Sequence, residues 1–228
     1  MRIASLFVST LSFAALPALA GTPLENALAA PDDGPSYKFQ LKIDDGDLKA
    51  EALVDPSLPE GERLTLISPD ETDLDEATAK QLADMKANTT GDNIWCSRFS
   101  RNIPGNAKLI SESGEAAVYS FQPVGTREDG DMAKAYKHLS GRVTVSKDKP
   151  AIIAYEMFAE KPFKPMLVAK VDSFSMKVSC DYAPDGRTYV KDMRLDLSGS
   201  AMMQDFAQSE RREISNLVPL PETAVGQR

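Results

Sequence analysis

From Glu115 to Ser198, apolar and polar positions alternate through a succession of runs that read as β-strands. Ala117, Tyr119 and Phe121 share one face of the first run, and Val143 and Val145 share a face of the second. Ala151 to Met157 is apolar on both faces, which predicts a strand covered on both sides. KPFKP then interrupts the pattern, because Pro162 and Pro165 cannot donate to a ladder. From Val168 onward Phe174, Met176, Val178, Cys180 and Tyr182 alternate with Ser173, Ser175, Lys177 and Ser179. A Pro184-Asp185-Gly186 turn returns the chain into a strand carrying Tyr189, Met193, Leu195 and Leu197. Strands following one another without a long helix predict an antiparallel meander.

The segments before this sheet must fit around it. Residues 21–35 show no sustained period and read as a linker. Tyr37, Phe39, Leu41 and Ile43 alternate as a half-buried strand, and Asp44-Asp45-Gly46-Asp47 turns the chain into a second strand, LKAEALVD. The spacing of those acids fits a turn rather than a calcium loop. A turn-rich loop from Asp55 precedes a short strand, Arg63 to Ser68. A helix is expected from near Asp73, with Glu76 completing a capping-box pair and Leu74, Ala77, Leu82 and Met85 as its apolar stripe. That stripe is narrow, so the helix needs the sheet as a partner. AKLIS reads as a strand, and Met132 to His138 as a short helical turn. Asn93 to Ile103 follows neither period, whereas Met202, Met203, Phe206 and Ile214 fit a strand and a short amphipathic helix alike. One domain over 36–217 and a flexible tail over 218–228 are expected.

The N-terminus changes the setting. Met1-Arg2, an apolar stretch to Leu16 and Ala18-Leu19-Ala20 before Gly21 have the layout of a secretory signal peptide over 1–20. A soluble, periplasmic protein is therefore expected, with no other stretch apolar enough to span a membrane. In that compartment the two cysteines, Cys96 and Cys180, are expected to form one disulfide. The formal charge of −8 disfavours phosphate backbones, so nucleic acid is not an expected partner.

Catalytic chemistry finds little footing. His138 is the only histidine and lies beside no recognised catalytic or metal-binding spacing. It reads as a surface residue at a strand start. Asp192 and Asp196 share a face with Arg194, as a solvated salt-bridging face would. No enzyme activity, metal or cofactor is implied.

In order, the chain offers F-x-P (Phe121 to Pro123), L-x-G-x-V-x-V (Leu139 to Val145), a covered strand, P-F-x-P (Pro162 to Pro165) and a long strand paired through a DG turn to one ending L-x-G (Leu197 to Gly199). This succession resembles the outer-membrane lipoprotein-sorting superfamily of LolA/LolB-like carriers over roughly residues 36–217. The Asp55 to Arg63 block, DP-x-x-P-x-G-x-R, is similar to exported relatives rather than to the carriers themselves. The resemblance implies an α+β fold, mainly antiparallel β: an open half-barrel sheet covering one or two helices. It also implies a binding or carrier protein that holds an acyl chain or other amphiphile, from a lipid or lipoprotein, on its concave face. The lining expected is Tyr119, Phe121, Val143, Val145, Tyr155, Met157, Phe174, Met176 and Met193. The same residues would equally make a closed core against the helix expected at 73–88. A sensor or scaffold that binds an envelope protein on this sheet is the alternative function.

Overall fold

The computed structural model describes residues 21–126, 130, 133–166 and 168–221. The signal peptide expected over 1–20, the start of the helical turn at Met132 and the end of the tail lie outside these residues. Every long alternating run becomes a strand: β1 (Tyr37–Asp44), β2 (Lys49–Val54), β3 (Leu64–Ser68), β4 (Lys108–Glu112), β5 (Ala116–Phe121), β6 (Leu139–Ser146) and β7 (Ala151–Ala159). There follow β8 (Phe163–Met166), β9 (Ala169–Tyr182), β10 (Thr188–Ala201) and β11 (Gln204–Pro219). All join one antiparallel sheet in the order β3-β2-β1-β11-β10-β9-β7-β6-β5-β4, with β8 attached to β9. The sheet is open, and a few helices lie against it, as the α+β half-barrel expectation requires.

The ambiguous segment after Gly199 is thus a strand, and it joins two meanders by pairing Leu41 of β1 with Ile214 of β11. Part of the expected tail belongs to this ladder, since Val218 and Pro219 face Lys38 and Tyr37. KPFKP does not end pairing altogether. Its Phe163 faces Val171, but among the described residues β8 pairs only with β9, a position that tolerates proline.

Register explains which residues share a face. One row crosses the inner face through Tyr119, Val143, Tyr155, Val178, Met193 and Arg212. The neighbouring row runs through Phe121, Gly141, Met157, Met176, Leu195 and Glu210. On the outer face, Lys108, Ser120, Arg142, Glu156, Lys177, Arg194 and Arg211 form a third row. Asp196 bonds Arg194 at 3.1 Å and Asp192 bonds Arg211 at 2.7 Å, so this face carries the expected salt bridges.

Two L-x-G glycines are dictated by close approach. A Cβ on Gly141 would lie 2.4 Å from the Phe121 ring, and one on Gly199 would lie 2.1 Å from the Lys170 carbonyl oxygen. No side chain fits at either distance.

The helices depart from expectation. Residues 21–35 are no plain linker: α1 (Pro23–Leu28) buries Leu24 and Ala27. Thr22 and Glu25 form a capping box, with the Glu25 amide donating to the Thr22 hydroxyl at 3.2 Å and the Thr22 amide to the Glu25 carboxylate at 2.7 Å. The main helix, α2 (Glu76–Asn88), starts later than Asp73 because Asp75 is its cap, accepting from the Thr78 amide at 2.8 Å. Glu71–Asp73 is a separate 3-10 turn. Only Leu82 of α2 is buried, and it packs with Tyr37, Phe39, Val54 and Leu64 at the β1–β3 end. A short α3 (Ala133–Tyr136) precedes β6.

Asn93 to Ile103 contains a 3-10 helix, Cys96–Asn102. It is held at several points. Cys96 is bonded to Cys180, with Cα atoms 6.5 Å apart. The Val190 amide donates to Ile94 O at 2.7 Å, and Asn102 Nδ2 donates to Val124 O at 2.9 Å.

Candidate functional site: a groove on the concave face

The main core fills only part of the concave face. Ala117, Tyr119, Val143 and Val145 are buried with Leu24 and Ala27 of α1, together with Cys96 and Ile103 from the pinned segment. Phe99 stacks on Tyr155 with ring centres 4.6 Å apart. Beyond this lid the inner rows continue without a helix across them. α2 reaches the groove only at its last residue, Asn88, and buries only Leu82, in the separate cluster at the β1–β3 end, so it does not fill this part of the concave face.

A groove of about 510 Å³ results. Its floor includes Met157, Phe174, Met176, Met193 and Leu195, while Leu41 and Ile214 form the β1–β11 side. Its walls are the Asn88 to Gly91 loop and the stretch from Asn93 to Asn102. Tyr155 and Met157 are buried, whereas Leu41, Met176, Met193 and Leu195 remain partly accessible. Half-covered apolar side chains on a concave surface have contact area to offer.

The expected lining therefore divides. Tyr155, Met157, Phe174, Met176 and Met193 line the groove; Tyr119, Phe121, Val143 and Val145 do not, and they belong to the covered core. The physical reason is α1, whose Leu24 and Ala27 sit over that half of the sheet. Sequence reading missed Leu41, Leu195 and Ile214, which only the β9-β10-β11-β1 order brings beside the methionines. The alternation of Leu41 and Leu195 is local, whereas Ile214 fits strand and helix alike, and none of the three reveals its neighbours.

The groove also has a polar component. Arg98, Arg101 and Arg212 are in its lining among the described residues, and each is engaged by other groups of the chain. Arg98 donates to Asn93 O at 3.1 Å, and Arg212 pairs with Glu210 at its margin. Met157, Met176 and Met193 give the floor unbranched, polarizable side chains that adapt to varied shapes. Among the described residues no cluster of histidine, cysteine or carboxylate is arranged to hold a metal. No described helix is long and apolar enough to cross a membrane.

Compared with family models, curated proteins and solved structures, the chain matches none of them.

Proposed function

We propose that this chain is a soluble, exported binding protein of the periplasm that carries an acyl chain or similar amphiphile, without catalysis, in the groove on its concave face. One observation carries the reading: Met176, Met193 and Leu195 face a groove of about 510 Å³ that the protein's own helices leave open. That volume lies within the roughly 300–1,000 Å³ range of small-molecule pockets. Each methylene buried there contributes about 0.8 kcal/mol, so a modest length of chain gives useful affinity. The signal-like N-terminus supplies the compartment. The test is native mass spectrometry of gently purified protein, combined with titration of a dansyl-labelled undecanoic acid. Co-purified amphiphile and a saturable emission change are expected. A groove that takes up neither, in protein shown to be folded, overturns the proposal.

A second reading, an envelope sensor or scaffold binding a protein partner, is favoured by a different feature. Met166, Val168, Met202 and Met203 are exposed where two turns meet, with the Met202 amide donating to Val168 O at 2.9 Å. Met202 and Met203 hold φ of 50° and 68° at the β10–β11 turn, where neither side chain is buried. Replacing both with serine separates the readings, because uptake into the distant groove should be unchanged.

A further inference from the structure

A second cleft, of about 760 Å³, lies at the other half of the sheet and shares no lining residue with the groove. Four segments bring positive charge to it: Lys108 from β4, Lys137 after α3, Arg142 from β6, and Lys161 from the turn between β7 and β8. Glu160 is the only carboxylate in the lining among the described residues, and it accepts from the Ser140 hydroxyl at 2.8 Å. Acids outnumber bases 34 to 26 in the whole chain, so a lining with four bases and one acid runs against its composition.

The four cations are not equivalent. Arg142 is engaged by Glu156 at 3.4 Å and lies 4.8 Å from the Phe158 ring centre. Lys108, Lys137 and Lys161 are exposed and form no ion pair among the described residues. Like charges gathered around one concavity repel each other and favour an anion between them. We infer that this cleft binds a phosphate ester carried on a small polar body, such as a sugar or glycerol head.

Lysine selects that chemistry. The planar fork of arginine matches carboxylate and phosphate alike, but here the one arginine of the lining is committed to Glu156, which leaves lysines, point charges that also bind phosphate. Three mobile ammonium groups suit a tetrahedral oxyanion approached from several sides. The rest of the lining suits a hydroxylated body: Asn106, Ser120 and Gln122 offer hydrogen-bonding groups, and Phe163, stacked on His138 at 4.8 Å, offers an apolar wall. The same phosphate ester can arrive free or as a phospholipid head.

The full chain is titrated at low ionic strength, where screening is weak, with inorganic phosphate, glycerol 3-phosphate and glycerol. It is also floated with phosphatidylglycerol and phosphatidylcholine vesicles. The comparison variant carries Lys108→Gln, Lys137→Gln and Lys161→Gln, all at exposed positions. Saturable binding of glycerol 3-phosphate but not glycerol, weakened at least roughly tenfold in the variant, supports a free ester. Flotation with phosphatidylglycerol alone, lost in the variant, supports the same chemistry on a lipid. Failure of phosphate, ester and vesicles alike, or equal binding by the variant, overturns the inference. The groove is tested in the same variant with the uncharged amide of the dansyl-labelled acid, so its uptake stands or falls separately.

Discussion

The guanidinium carbon of Arg187 lies 3.6 Å from the centre of the Trp95 ring. The same group donates to Asp32 O at 3.0 Å and to Pro35 O, and pairs with Asp185 at 2.7 Å. It therefore ties the lead-in after α1, the β9–β10 turn and the start of the pinned segment into one junction. Arg187→Lys keeps the charge but loses the stacked plane and the fork. A loss of about 2–3 kcal/mol in denaturant unfolding is expected, with a changed emission from Trp95 in the folded state. An unaltered midpoint would show that the junction adds no stability. Gly34→Ala should give part of the same effect, since its Cβ would lie 2.6 Å from the Arg187 guanidinium carbon.

Met176→Asp places a charge between Met157 and Leu195 in the inner row. Because Met176 is partly accessible, the fold should tolerate the change while amphiphile uptake falls at least roughly tenfold. Val143→Ala, in the covered core, should show the opposite split: a stability loss of about 1–3 kcal/mol and nearly normal uptake. Unfolding midpoints and titration of the fluorescent acid on both variants check the pair. Equal uptake by the Asp variant would move the site off this face.

The Cys96–Cys180 bond spans a sequence separation of 84. In the chain-entropy account such a loop contributes about 4.5 kcal/mol. Cys96→Ser with Cys180→Ser should lower stability by up to that amount and loosen the wall formed by Asn93 to Asn102. Hydrogen exchange within that wall, compared with exchange in β10, reads the local effect. Unchanged protection there would mean that the backbone bonds at Val190 and Val124 suffice.

Acid should destabilise the protein through several carboxylates. The Lys191 ammonium holds Asp181 below its ordinary value of 3.8, the Ser209 hydroxyl does so for Asp196, and the Thr78 amide does so for Asp75. Their folded values lie below the unfolded ones, so the unfolded chain binds more protons as pH falls. This stability is complete above the ordinary value and is lost on descent through the folded values. Urea midpoints should stay level down to about pH 5 and drop below about pH 4. A midpoint that rises on acidification would contradict the assignment.

Strand faces were legible because alternation is a local property. Val143, Val145, Phe174 and Met176 were placed on the correct face by their spacing alone. Partnership between strands is not local. Nothing near Leu41 announces Ile214, which is why the far side of the groove went unread. The helix α1 was missed for another reason: six residues are too few to show a period. Its only cue was Thr22-Pro23-Leu24-Glu25, a capping box with proline at the first helical position. α1 covers Tyr119 and Val143, so they pack in the core rather than line the groove.

The ladder between β1 and β11 sets an order of assembly. Among the described residues it is the only strand pairing that connects β1–β3 to the rest, yet its two members lie near opposite ends of the described chain. As the polypeptide emerges, the first hairpin must wait for the last strand, and until then β1 presents an unsatisfied edge. Contacts of such long range make the closing step slow relative to local hairpin formation. The interval before β11 docks is therefore when this protein is most exposed to pairing with the wrong chain.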